Sequence, residues 1–107
     1  MTINSCTKKE VPVLSTASVT EITSTSATCG GTITAEGSGT VVSLGVCWGT
    51  EAEPTINDFK TSELAGSATF KSYLKGLIAN TTYHVRAYAT NDAGIGYGNE
   101  VTFTTLK

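Results

Sequence analysis

Histidine occurs once in these 107 residues, as His84, and no serine, cysteine or carboxylate pattern frames it. Nucleophilic catalysis needs a base placed beside a nucleophile, and a metal needs three or four ligands, so the sequence signals neither chemistry and calls for no cofactor. Charge is scarce as well: charged residues make up 15%, and seven Lys and Arg against nine Asp and Glu give a net charge of -2. Such a chain has no basic surface for a phosphate backbone and no polybasic membrane patch, which excludes nucleic acid as a partner. No stretch approaches the length of a membrane span or of the apolar region of a signal peptide. Helical periodicity is missing too.

Hydroxyls and glycine take the place of what is absent. The chain carries 20 Thr, 10 Ser and 11 Gly, a bias that favours strands and turns over helices. Its length and 39% hydrophobic fraction suit one domain with one core. From Val11 the apolar residues alternate in short runs separated by turn residues. A first strand is expected at about Val11 to Val19, on a sheet edge because of Pro12. A second runs from about Ser26 to Thr34, with Ala27, Cys29, Gly31 and Ile33 on one face. After the turn Glu36-Gly37-Ser38-Gly39, a third strand turns Val42, Leu44, Val46 and Trp48 to the core. Gly49 to Glu63 is polar, contains Pro54 and reads as a loop with at most a short edge strand. A fourth strand follows at about Ser67 to Leu74. Tyr83, Val85, Ala87 and Ala89 then alternate with His84, Arg86, Tyr88 and Thr90, giving one apolar face and one wet face. Asn91 to Gly96 has hairpin-turn chemistry, and Val101 and Phe103 belong to the last strand. These segments predict an all-β, antiparallel, seven-stranded β-sandwich. Its expected core is Val13, Ala27, Cys29, Ile33, Leu44, Val46, Trp48, Phe70, Leu77, Tyr83, Val85, Ala87, Val101 and Phe103.

Three cysteines, Cys6, Cys29 and Cys47, permit at most one internal bridge. Cys6 lies in a polar leader and is the odd one out. The alternation turns Cys29 inward and Cys47 outward, which favours free thiols. A one-residue bulge would reverse Cys47 and allow a bridge, so both states stay open.

Leu77-Ile78-Ala79-Asn80-Thr81-Thr82-Tyr83-His84-Val85-Arg86-Ala87-Tyr88-Ala89-Thr90-Asn91 resembles the E-to-F corner and F strand of a fibronectin type III domain. The Leu77 to Tyr83 spacing matches that fold's tyrosine corner, in which the hydroxyl bonds back to upstream backbone. Cys29-Gly30-Gly31, Gly45-Val46-Cys47-Trp48-Gly49-Thr50, Pro54-Thr55-Ile56 and Gly96-Tyr97-Gly98-Asn99-Glu100-Val101-Thr102-Phe103-Thr104-Thr105 are similar to type III-like modules of Bacteroides-type surface lipoproteins and secreted glycan-degrading proteins. The resemblance covers roughly residues 11 to 105 and implies an A-B-E sheet packed on C-C′-F-G, with Trp48, Leu77 and Tyr83 as structural residues. Ile3-Asn4-Ser5-Cys6 followed by Thr7-Lys8-Lys9-Glu10 resembles the end of a bacterial lipoprotein signal, which implies a lipid on Cys6.

The expected organisation is therefore a flexible tether over residues 1–10, a type III-like domain over 11–105, and an end at 106–107 leading to a further domain. The expected role is non-catalytic: a spacer or presentation module of the bacterial cell envelope, monomeric, and attached to membrane only through Cys6. Its partners would be other domains of the same protein, or a surface protein or glycan. The alternative is a glycan- or protein-binding module, and loops at one end of a sandwich are the usual recognition surface. Asn91, Asp92, Ile95 and Tyr97 would then form the binding loop. Arg-Gly-Asp is absent from that hairpin, so integrin-style adhesion has nothing to rest on. His84, outward beside Arg86, is expected to be a surface residue.

Overall fold

The computed structural model describes residues 10–64 and 68–107; Cys6 and most of the expected tether lie outside them. Among the described residues nine strands follow one another: β1 (Val13–Thr16), β2 (Ala27–Ala35), β3 (Ser43–Gly49), β4 (Phe59–Lys60), β5 (Glu63–Leu64), β6 (Thr69–Leu74), β7 (Thr82–Asn91), β8 (Gly94–Tyr97) and β9 (Val101–Thr104). They form two antiparallel sheets, one in the order β1-β2-β6 and one in the order β4-β3-β7-β8, with β5 also on β3 and β9 also on β7. This is the expected A-B-E sheet facing C-C′-F-G. Two extra strands arise because the last strand is broken into β8 and β9 and the polar loop contributes two short pieces, β4 and β5, against β3.

The two-residue period of the strands sets the core. Leu44, Val46 and Trp48 of β3 and Tyr83, Val85, Ala87 and Ala89 of β7 face Ala27 and Cys29 of β2 and Leu74 of β6, all buried. Ile33, Phe70 and Val101 are partly buried against this cluster. Gly31 lets the sheets close up: a Cβ there would sit 2.8 Å from the Cβ of Ala87. Cross-strand partners Tyr83 and Phe103 stack with ring centroids 5.8 Å apart, and the Tyr83 hydroxyl accepts the Ile78 N–H at 2.9 Å. Leu77, buried beside it, completes the corner.

Two expected core residues are displaced by one register step. Val13 is 56% exposed and Leu14 takes the inward place, because the β1–β2 ladder shifts register between them. Val42 is 65% exposed and Val41 is buried, since β3 begins only at Ser43 and the strict alternation does not reach back past it. The first strand is also shorter than expected, four residues. Beyond pairing with β2, it latches the sheets together. The Thr16 N–H donates to Asn99 Oδ1 and the Thr16 hydroxyl accepts the Ala87 N–H, both at 2.9 Å. Ala87 lies where pairing along β7 passes from β9 to β8, so its amide has no ladder partner on that side.

Candidate functional site

The four residues expected to form one binding loop fall in two places. Asn91 and Asp92 are at the β7–β8 turn, whereas Ile95 and Tyr97 pair with Thr90 and Tyr88 on the outer face of the larger sheet. Asn91 is buried. Its Nδ2 donates to the carbonyls of Glu10 (2.9 Å) and Glu36 (2.8 Å), and its Oδ1 accepts the N–H groups of Ala93 (2.8 Å) and Gly94 (3.2 Å). Every hydrogen-bonding position of the amide is filled by backbone, so Asn91 fastens the incoming chain and the loop at 36–39 to the hairpin. Asp92 is exposed at the tip.

Tyr97 points away from that tip. The Arg86 guanidinium lies 4.0 Å over its ring, and its hydroxyl accepts the Ile56 N–H at 3.2 Å. These contacts belong to a strap of residues 50–58 folded across the outer face. Arg86 Nε donates to the Pro54 carbonyl at 2.7 Å, and the Cys47 thiol lies 3.5 Å from the same oxygen. Glu100 ties the strap down from the other side: Oε1 accepts the Glu53 N–H at 3.0 Å, while Oε2 pairs with His84 Nδ1 at 2.5 Å. His84 is thus half-buried and engaged by a carboxylate, with its side chain 25% exposed.

The strap changes two expectations about the wet face. Cys47 does point away from the core, yet it is fully buried, because Pro54 covers it. Tyr88 was expected among exposed side chains and is 3% exposed. Its hydroxyl reaches across β3 to the Thr61 carbonyl at 2.5 Å. Gly45, the cross-strand partner of Tyr88, leaves the space this needs, since a Cβ there would sit 2.5 Å from the same oxygen.

Cys29 and Cys47 are both free and both buried. Burial pushes each thiol up from 9.0 to about 11; the Gly30 backbone opposes this at Cys29 and the Arg86 charge opposes it at Cys47. Such thiols stay protonated at neutral pH and are poor nucleophiles. Cys47 bonds to the Pro54 and Arg86 carbonyls while His84 bonds to Glu100, so the two do not form a nucleophile and base pair. Among the described residues no group of three or more His, Cys, Asp or Glu is placed to hold a metal ion.

The strap is the feature that strand periodicity could not show. Its only local sign is Pro54 within a polar run, and its attachments are to residues far along the chain. Beside it, between the end of β3 and β4, lies a depression of about 600 Å³.

No protein-family model matches the chain, and no curated protein matches it in sequence. Solved structures do match in fold. The FN1–FN3 domains of chicken CNTN1 superpose with a TM-score of 0.73 at 18% identity, over 92% of this chain and 33% of that one. The sensor domain of the anti-sigma factor RsgI4 from Pseudobacteroides cellulosolvens gives 0.67 at 22% identity, over 87% of this chain and 74% of that one. Domains A168–A170 of titin give 0.63 at 15% identity, over 92% of this chain and 34% of that one. The chain thus spans about a third of the CNTN1 and titin fragments. With two antiparallel sheets, a tyrosine corner and these neighbours, the fold is a fibronectin type III-like β-sandwich.

Proposed function

We propose that this chain is a non-catalytic β-sandwich module that spaces or presents other parts of a bacterial surface lipoprotein, held to the envelope by a lipid on Cys6. The observation that carries this reading is the placing of the two ends of the described domain at opposite poles. Glu10 is bonded to Ser38 and Asn91 at one pole. Leu106 is bonded to Thr23 and Asn80 at the other. A module entered at one pole and left at the other extends a chain in line, and β7 alone, at roughly 3.3 Å per residue, separates the poles by about 30 Å. The protonated thiols and the engaged His84 support a role without covalent chemistry. A binding role at the hairpin tip draws no support from Asn91 or Tyr97, whose polar groups are committed to the chain's own backbone.

Mass spectrometry of the protein isolated from its native host tests the anchor. The expected species begins at Cys6 and carries diacylglycerol; an unmodified Cys6 with upstream residues retained overturns the lipoprotein reading.

A further inference from the structure

Phe59 is 68% exposed and lines the depression at the end of β3, with Thr50, Glu51, Glu53, Asn57 and Asp58 around it. One face of its ring is fixed. Phe59 is the cross-strand partner of Trp48, and the two rings stack with centroids 6.1 Å apart and planes 21° from parallel. The other face is left to water, on a strand of two residues at the sheet edge. A rigid, open aromatic face in a concave site is a platform for a planar or cationic group.

Charge selects between occupants. Asp58 accepts the Thr55 N–H through Oδ2 at 2.9 Å. Glu51 and Glu53 are exposed, and among the described residues their carboxylates make no hydrogen bond or ion pair. No lysine or arginine lines the depression. An acidic or phosphorylated partner would be repelled there. A guanidinium suits it, because it stacks flat on an aromatic ring while its edge donates to carboxylates.

We propose that this depression docks an arginine side chain of a protein partner, the guanidinium lying on the free face of Phe59 with Glu51 and Glu53 beside its edge. The site is at the pole remote from Glu10, since Gly49 at the end of β3 pairs with His84 and Ser43 at its start pairs with Thr90. It depends on no lipid and no membrane.

The test titrates the ¹⁵N-labelled 107-residue chain with a blocked peptide, Gly-Arg-Gly-Arg-Gly, and with the same peptide carrying neutral citrulline in place of arginine. Saturable amide shifts confined to residues 49–59 are expected with the arginine peptide, and binding at least about fivefold weaker with citrulline. Glu51→Gln combined with Glu53→Gln is expected to weaken binding by about fivefold or more, as is raising the salt several-fold. Phe59→Ala should do the same. Should that variant uncover Trp48 and lose its fold, Phe59→Leu keeps the apolar cover and removes the ring. Three results would each overturn the proposal: no shifts at about 10 mM peptide, equal shifts with both peptides, or affinity unchanged in the folded charge-removed variant.

Discussion

The Tyr83 hydroxyl accepts the Ile78 N–H at 2.9 Å, closing a loop between positions five apart over the bottom of the core. The ring of Tyr83 is buried against Phe103, so Tyr83→Phe removes one hydrogen bond with little change in packing. It leaves the Ile78 amide unpaired at a partly buried corner, at a cost of about 1–2 kcal/mol. In a domain of this size that corresponds to a melting temperature lower by roughly 4–12 °C, measurable by calorimetry. An unchanged melting temperature would mean that the corner adds nothing to stability.

Asn91→Ala removes four hydrogen bonds to backbone at once. We expect about 2–3 kcal/mol of destabilisation in urea unfolding, together with faster hydrogen exchange at Ala93 and Gly94. A residue serving only to contact a ligand would leave both measurements where they were.

Thr16→Val and Thr16→Ser separate the latch from simple packing. Valine keeps the shape and deletes the hydroxyl that accepts the buried Ala87 N–H, so it is expected to cost about 1–3 kcal/mol. Serine keeps the acceptor and should cost less. A loss in the serine variant with none in the valine variant would show that the methyl group, and not the hydroxyl, matters.

Stability is expected to fall in alkali. Cys29 and Cys47 have thiols pushed from 9.0 to about 11 in the folded chain, and burial raises Tyr88 above its usual 10.0. The unfolded chain therefore releases these protons at lower pH than the folded one does. The contribution is fully present below pH 9 and is lost as the pH rises through about 11. Urea unfolding at steps of pH from 8 to 11 reads the slope; Cys29→Ala combined with Cys47→Ala should flatten it.

The strap makes a kinetic prediction. Glu100→Ala frees both the Glu53 amide and His84, so Pro54 should lift from Cys47 more often. Alkylation of Cys47 is expected to accelerate by roughly tenfold, with Cys29, buried between the sheets, unchanged. Equal acceleration at both thiols would indicate global unfolding and no separate strap.

Residues that keep strict alternation inside long strands were legible from sequence, because period two assigns a face regardless of what lies beyond it. Tyr83 to Ala89 and Leu44 to Trp48 are of this kind. Val13 and Val42 sit where a ladder starts or shifts, and there the period gives no phase. Cys47 and Tyr88 point the way the pleat requires, yet chain from 54 to 61 covers them. That cover rests on bonds such as Arg86 to Pro54 and Glu53 to Glu100, which join positions 32 and 47 residues apart. No local pattern encodes such pairs. Asn91 misled for a related reason: Asn is common in turns both as an exposed tip and as a buried bracket, and only the position of Glu10 distinguishes them.

The opposed poles have a mechanical consequence. Tension applied between Glu10 and Leu106 runs along β1 and β9, each held lengthwise in an antiparallel ladder, to β2 and to β7. Such a load shears several backbone bonds simultaneously and does not peel them singly from one end, so force spectroscopy should find the greatest resistance when this domain is stretched tip to tip.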